Sequence, residues 1–232
     1  MLKLRPPLQY TRVSDWSGSR LVNCFVEYAD TDKREQLAVL AIPGTTEWSD
    51  TGGSPNRGSH YFGDTLYVVS GGTLFSVAST GAETPLGTIA GTGAVRMVDN
   101  GTQLCIAASG TGYVYSGGSL TTPLAYSVSD VAYIDGYILW SVRGSDQFFI
   151  SALDDATTYD AGDIAVVEGA PDDLVGIEVS HRDVLMFGDK SLEIYYNSGA
   201  SDFPFARQGN AFIERGCFDR DSIASMDNTV YF

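Results

Sequence analysis

Two pairs of neighbouring aspartates come closest to a catalytic arrangement in this sequence. Asp154-Asp155 and Asp172-Asp173 both lie in segments predicted to be loops. Glycosidic bonds are cleaved by two carboxyl groups roughly 5–10 Å apart, one of which has a raised pKa. Adjacent residues cannot lie on both sides of a sugar, but Asp155 and Asp173 come from different repeats and can do so if the fold brings them together. The sequence leaves this function open, although the Ser-x-Asp-x-Gly-x-x-Trp box of sialidases is missing.

The histidines and the acidic turns offer little else for catalysis or metal binding. The chain has only His60 and His181, and the Ser, His and Asp of 180–183 are too close in sequence to form a triad. Asp160-Ala-Gly-Asp163 and Asp219-Arg-Asp221 can supply oxygen ligands to calcium, but neither matches an EF-hand loop. Acidic turns are more often only turns. We therefore predict no catalytic residue, no metal and no cofactor.

The cysteines and the N-terminus indicate a reducing compartment. Cys24, Cys105 and Cys217 are odd in number, have apolar neighbours and lack C-x-x-C spacing, so we expect buried free thiols. The N-terminal residues have no apolar core of a signal peptide, and no apolar run approaches the ~18 residues of a membrane span. We expect the protein to be made and folded in the cytoplasm, without a membrane span.

The composition favours strands and excludes tight nucleic-acid binding. Gly accounts for 26 of 232 residues, Tyr and Phe are more numerous than Lys and Arg, and no long stretch has helical apolar spacing. The net charge is −15, so the basic surface that grips phosphates is absent. The acidic residues are spread along the chain, which is typical of a solvated surface; the alternative is a wall that repels nucleic acid and lets it slide past.

Apolar hairpins recur along the chain and position these residues. Ala132–Val142, turned at Asp135-Gly136, and Val175–Phe187, turned at Arg182-Asp183, are each followed by a further strand, at Gln147–Ser151 and Ser191–Tyr196. Equivalent reversals are marked by Asp64, Asn100, Asp135, Arg182 and Asp227, at spacings of 36, 35, 47 and 45 residues.

A strand–turn–strand repeat of ~40–50 residues is typical of β-propeller blades. We predict an all-β propeller of four-stranded antiparallel blades; a sandwich or barrel is the alternative. Residues 1–59 are predicted to form an N-terminal arm and first strands that close onto the propeller, and residues 60–232 about four blades, the last incomplete. The Gly-, Ser- and Pro-rich stretch 49–59 reads as a loop. Because Phe232 lies within an apolar strand, we expect an N-terminal part of a longer chain.

Several ordered pieces resemble the packaged-DNA stabilisation proteins, the tail hub or tail accessory factors of short-tailed phages (podoviruses). The resemblance is strongest between residues 130 and 200. Its pieces are Asn23 with Glu27, Ile42-Pro43-Gly44-Thr45, Trp140-Ser141, Gly144-Ser-Asp146, Phe149-Ile150, Leu153, Asp155, Ala161, Glu168, Pro171-Asp172, Val175-Gly-Ile177, Arg182-Asp183, Phe187-Gly188, Glu193-Ile-Tyr195 and Gly199-Ala200.

The resemblance implies a β-propeller that assembles as a ring, a homo-hexamer, in the virion tail. That ring would dock below the portal and its adaptor, at the head–tail connector, help seal the packaged genome, and carry the tail needle, tailspike or nozzle proteins. It implies a structural role in DNA packaging and ejection without catalysis, with genomic DNA passing through the channel without specific binding. From the net charge of −15 we also predict an acidic channel face, which would let exiting DNA pass without sticking. The remaining alternatives are a phage nozzle or tubular tail protein and a glycan-binding or glycan-cleaving propeller.

A closed ring needs two different patches on each subunit. We predict that the arm Met1–Tyr10 supplies one of them, because its prolines and apolar residues have no obvious place in a blade. The predicted interface residues are Leu4, Arg5, Pro6, Pro7, Leu8 and Tyr10.

Overall fold

The chain divides into two compact units, Met1–Glu47 and Trp48–Phe232. The computed structural model describes residues 24–29, 36–53, 55–167, 169 and 172–232. In the first unit, β1 (Cys24–Ala29) pairs antiparallel with β2 (Gln36–Ala41), so that Cys24 lies opposite Ala41. Both strands lie within residues 1–59, for which first strands were predicted.

Four antiparallel sheets of four strands each make up most of the second unit, in chain order. The strands of the first blade are β3 (Asn56–Phe62), β4 (Thr65–Ser70), β5 (Thr73–Val77) and β6 (Glu83–Thr88). Those of the second are β7 (Arg96–Asp99), β8 (Leu104–Ala108), β9 (Thr111–Ser116) and β10 (Ser119–Thr121). The third comprises β11 (Val128–Ile134), β12 (Tyr137–Val142), β13 (Gln147–Ile150) and β14 (Ile164–Val166). The fourth comprises β15 (Leu174–Ser180), β16 (Asp183–Gly188), β17 (Leu192–Asn197) and β18 (Phe205–Ile213). A further hairpin follows, β19 (Ala224–Met226) with β20 (Thr229–Tyr231).

Two-residue turns with positive φ define the first hairpins of the first and third blades and the β19–β20 hairpin. Gly63-Asp64, Asp135-Gly136 and Asp227-Asn228 all have positive φ at both positions, which is the geometry of a type I′ turn. Gly, Asp and Asn tolerate this conformation best. These residue types at these positions are why the hairpins could be predicted from the sequence.

The first strands of successive blades run side by side in the same direction. Near their beginnings, Val95, just before β7, donates its N–H to the carbonyl of Arg57 in β3. Near their ends, His60 of β3 contacts Asp99 of β7 at 2.7 Å. The turns after all first strands therefore lie at one end of the second unit, and the turns between third and fourth strands lie at that same end because strand direction alternates within a blade.

The core lies between the blades rather than within any one of them. One buried cluster joins the first and second blades around Leu74 and Ile106, another joins the second and third around Val114 and Trp140, and a third joins the third and fourth around Phe148. Because each blade buries its faces only against its neighbours, no single blade has a core of its own.

The fourth blade packs against the β19–β20 hairpin in the same way. Phe187 and Leu192 form a buried cluster with Cys217 and Ile223, and the ring centroids of Phe187 and Phe232 lie 4.9 Å apart. The fifth reversal predicted at Asp227 is therefore a hairpin stacked on the fourth blade.

The structure corrects two details of the sequence analysis. Residues 56–59, read as part of a loop, belong to β3, and the chain divides into its two compact units between Glu47 and Trp48. The fourth turn is His181-Arg182 rather than Arg182-Asp183, because Ser180 pairs with Asp183.

The only helical segment in the described part of the chain is a 3₁₀ turn, Arg220–Ser222. The described residues thus contain no helix that is long and apolar enough to cross a membrane.

Candidate interaction surfaces

A buried ion network joins the third blade to the segment after the fourth. Arg220, in the 3₁₀ turn, donates from Nε to Oδ2 of Asp130 at 2.6 Å and from Nη2 to Oε2 of Glu178 at 2.7 Å. Asp130 lies on β11 with a fully buried side chain, and its Oδ2 also accepts the N–H of Ile177 on β15. A single carboxylate thus contacts the first strands of two blades and the entry to the next hairpin.

Opposing influences act on the two charges of this network. Burial raises the pKa of Asp130, while Arg220 and the N–H groups of Ile177 and Val131 act in the opposite direction. Burial also opposes the charge of Arg220, but Asp130 and Glu178 outweigh burial, so the pKa of the guanidinium is raised. The sequence analysis missed this network, because nothing in the sequence relates residue 130 to residue 220.

The first strands of the blades line a cleft of about 280 Å³ along the propeller axis. His60 and Asp99 pair on one side of it, and Glu178 with Arg220 on another. Its remaining lining residues are Val98, Val131, Ala132, Tyr133, Ile177 and Val179. Each described carboxylate at this cleft contacts a basic side chain: Asp99 contacts the imidazole of His60, and Glu178 shares Arg220 with Asp130.

The carboxylates gather instead at the end of the blades that carries the first turns, which we call the acidic face. The turns at this end, between first and second strands and between third and fourth strands, contain eight aspartates and one basic residue, Arg182. The aspartates are Asp64, Asp135, Asp154, Asp155, Asp160, Asp163, Asp202 and Asp227. In the sequence these residues are spread out, and only the propeller topology brings them to one end.

Part of the acidic face shows mutual repulsion between carboxylates. Burial raises the pKa of Asp163, and the negative charges of Asp160 and Asp202 raise it further. Even so, no group of His, Cys, Asp and Glu among the described residues has a geometry that could hold a metal ion. The calcium interpretation of Asp160 and Asp163, and of Asp219 and Asp221, finds no support: Asp160 and Asp219 each accept a backbone N–H two residues on, as turn residues do.

Asp155, one of the two carboxylates considered for a glycosidase, stabilises a turn through its side-chain hydrogen bonds. Its Oδ1 accepts hydrogen bonds from the hydroxyl and N–H of Thr157 and from the side-chain amide of Gln103, and its Oδ2 from Thr158. These bonds, led by the one from the Thr157 hydroxyl, lower the pKa of Asp155 well below its usual range. A general acid needs a raised pKa, so the structure argues against that role for Asp155.

The other predicted pair is also engaged in local structure. Asp172 is buried and accepts the N–H groups of Lys190 and Ser191 together with the Ser191 hydroxyl. It therefore holds the turn between β16 and β17. Asp173 is exposed, and its carbonyl accepts the N–H of Asp189.

The remaining predicted residues are placed as follows. Leu4, Arg5, Pro6, Pro7, Leu8 and Tyr10 lie outside the described residues. His181 is exposed in its turn and contacts the neighbouring Ser180 hydroxyl. Cys105 and Cys217 are free and buried, as expected, whereas Cys24 is only partly buried. Burial, strengthened by the nearby charge of Asp99, raises the pKa of the Cys105 thiol.

Comparison with known protein families finds relatives of this chain. The sequence profile of the family described as "Bacteriophage P22 Gp10, beta-propeller" matches residues 8–232. The tail hub protein gp10 of Salmonella phage P22 is 28% identical over an alignment of 177 residues, and the match covers 69% of this chain and 36% of that protein. The matched region thus spans about a third of the length of that relative.

Two solved structures share the fold at low sequence identity. PorZ, an essential surface component of the type-IX secretion system of Porphyromonas gingivalis, superposes with a TM-score of 0.51 at 13% identity, over 78% of this chain and 25% of PorZ. The computationally designed protein Ika8 superposes with a TM-score of 0.53 at 13% identity, over 91% of this chain and 65% of Ika8. At this identity the likeness concerns the fold alone.

Proposed function

Because the chain belongs to the bacteriophage P22 Gp10 β-propeller family, we propose that it is the tail hub protein of a short-tailed phage. The family and its P22 relative support a structural part of the virion tail. The finer proposal is that copies of the chain form a ring, as a hexamer, below the portal and its adaptor. There the ring helps to seal the packaged DNA and carries the tail needle or further tail proteins.

The match over residues 8–232 carries this proposal, and the physical character of the blades supports it. Four sheets stacked through continuous apolar cores make a stiff unit, which suits a spacer in a tail that must transmit DNA under pressure. A net charge of −15 disfavours adhesion to DNA phosphates. The acidic face is the part of the blades best suited to repel passing DNA, and we propose that it borders the channel of the ring.

We also propose that the protein acts without catalysis. Of the two carboxylates that could have served a glycosidase, Asp155 holds a turn through hydrogen bonds from Thr157 that lower its pKa, which argues against a general acid, and Asp173 is exposed. Assembly in the host cytoplasm is consistent with the buried free thiols of Cys105 and Cys217.

Native mass spectrometry of the purified protein, with and without an assembled portal–adaptor complex, tests the function. We expect a defined number of copies to join that complex, and six copies would agree with the hexamer. A chain that never joins the complex, but releases sugars from host surface glycans in a parallel assay, would overturn the hub function in favour of the glycan-acting alternative.

A further inference from the structure

We propose that a cleft on the acidic face, between the third and fourth blades, binds the N-terminal arm of a neighbouring copy through Arg5, Pro6 and Pro7. This inference rests on the proposed ring, since it names the second of the two patches that a closed ring requires. The cleft has a volume of about 430 Å³ and is lined by Asp135, Arg182, Asp183, Tyr196, Asn197, Gln208 and Gly209.

A pre-positioned carboxylate forms one side of the cleft. Oδ2 of Asp135 accepts a hydrogen bond from Nη2 of Arg182 at 3.1 Å and another from Nδ2 of Asn197 at 3.1 Å. Both bonds end on the same oxygen, so Oδ1 retains capacity for a further donor. The exposed carboxylate of Asp183 adds a second negative charge, against the single positive charge of Arg182. A guanidinium from outside fits this arrangement, because Arg pairs with carboxylates through several parallel donors.

An exposed aromatic ring forms the other side. Tyr196, opposite Asp183 in the β16–β17 ladder, leaves 41% of its surface exposed. Exposed tyrosines beside polar groups are the usual receptors for proline rings, which pack on aromatic faces at low entropy cost because their φ is already fixed. The cleft therefore combines an apolar ring with adjacent carboxylates, the chemistry that recognises an extended Arg–Pro–Pro segment.

An irregular stretch of β18 widens this cleft. Arg207 pairs with Tyr195 and Phe212 pairs with Glu193, so the four residues 208–211 lie opposite the single residue Ile194. Gln208 and Gly209 of this bulge line the cleft. A bulge leaves backbone groups outside the ladder, where they can bond an extended peptide.

The arm has the matching chemistry. Residues 1–14 contain Lys3, Arg5 and Arg12 and no acidic residue, with Pro6-Pro7 directly after Arg5. By contrast, residues 48–232 contain 23 of the 29 acidic residues and 8 of the 14 basic ones, so they account for the whole net charge of −15. Attraction between a basic arm and the acidic face favours their encounter and weakens as salt is added.

Peptide binding to the full-length chain tests the contact. A fluorescently labelled peptide with the sequence of residues 1–14 is titrated into the protein carrying Pro6→Ala and Pro7→Ala, whose own arm competes less. We expect saturable binding that Tyr196→Ala weakens by about tenfold, the loss typical of one anchoring side chain. Tyr61→Ala, which removes another exposed tyrosine, serves as the control and should change nothing. Equal binding to the Tyr196→Ala and Tyr61→Ala proteins would overturn the proposal.

A mixing experiment then distinguishes neighbouring copies from a contact within one chain. The Pro6→Ala/Pro7→Ala protein and the Tyr196→Ala protein should each fail to self-assemble, yet form a pair when mixed, because the mixture contains one intact arm and one intact cleft. A mixture that stays monomeric where the wild type assembles, or a wild type that is monomeric up to its solubility limit, would overturn the contact between copies. If the single variants still join the portal–adaptor complex in wild-type numbers, the contact between arm and cleft is disproved while the hub function is retained. If the wild type never joins that complex, the proposed hub function itself is disproved.

Discussion

Arg220 and Asp130 are 90 residues apart in the sequence, yet the Nε–Oδ2 distance between them is 2.6 Å. The arginine belongs to the segment that enters the fifth hairpin, and the aspartate to the first strand of the third blade. Since Asp130 also accepts the N–H of Ile177 in the fourth blade, the pair fixes three successive parts of the propeller relative to one another. The stacking of this unit therefore depends on a buried charge pair as well as on apolar packing.

Removal of the arginine should destabilise the protein strongly. In Arg220→Ala the carboxylate of Asp130 stays buried without its cation, and breaking one partner of a buried pair typically lowers the free energy of unfolding by about 3–5 kcal/mol. Urea unfolding at neutral pH measures the effect. Arg215→Ala, at an exposed arginine with no ion pair to another described residue, is the control and should change stability by no more than about 0.5 kcal/mol. Similar losses for both variants would contradict the structural role of the pair.

Asp155 should make stability depend on pH in the acidic range. Its pKa is lowered in the folded protein, chiefly by the Thr157 hydroxyl, so its contribution is present above the unfolded pKa of about 3.9 and is lost as the pH falls through the lower folded value. Asp155→Asn should thus be less stable than the wild type at pH 7, with a difference that shrinks below about pH 4.

The neighbouring Asp154 provides the matched control for this pH effect. Asp154 is exposed and has a positive φ that asparagine tolerates, so Asp154→Asn should be about as stable as the wild type. Thermal unfolding between pH 2.5 and 7 compares the three proteins. A difference between Asp155→Asn and the wild type that is constant across this range would show that the turn contacts do not depend on the charge of Asp155.

A glycine in the segment after the fourth blade should not accept a methyl group. A Cβ on Gly216 would overlap the backbone atoms of Asp189 and Lys190, which cannot move aside as the end of a side chain can. Gly216→Ala should lower the free energy of unfolding by about 1–3 kcal/mol. A Cβ on Gly93 would meet no atom within 4 Å, so Gly93→Ala should be neutral or slightly stabilising. Calorimetry measures the stability of both variants. A Gly216→Ala protein as stable as the wild type would mean that the segment after the fourth blade can shift to accept the methyl group.

Local features of the fold were predictable from the sequence, and contacts between blades were not. Asp135-Gly136 predicts a hairpin at its position because the turn itself requires residues that accept positive φ. The burial of Arg57 could not be predicted in this way, because Arg57 lies between Pro55 and Gly58 in a stretch that reads as a loop. In the structure it belongs to β3 and is buried, because the connection between the first two blades folds over it. The acidic face could likewise not be predicted from the sequence, because its aspartates come to one end of the molecule only when the blades stack in order.

Arg57 supplies the last prediction, because its guanidinium is buried and has no carboxylate partner among the described residues. It donates to the carbonyl oxygens of Gly93, Gly71, Ile89 and Ala90, at distances of 2.7 to 3.2 Å. Lysine has one nitrogen and cannot reach carbonyls on several sides, so Arg57→Lys should lose on the order of 3 kcal/mol of unfolding free energy.

Hydrogen exchange measures where that loss occurs. The amide of Val95, which donates to the carbonyl of Arg57, should lose protection in Arg57→Lys, while the amide of Ser151 in the third blade, which donates to Ile138, should lose protection only through global unfolding. Arg143→Lys, at an exposed arginine, should leave both amides as in the wild type. Unchanged protection at Val95 in Arg57→Lys would show that the strand β3 and the connection to the second blade are held by the backbone and apolar contacts alone.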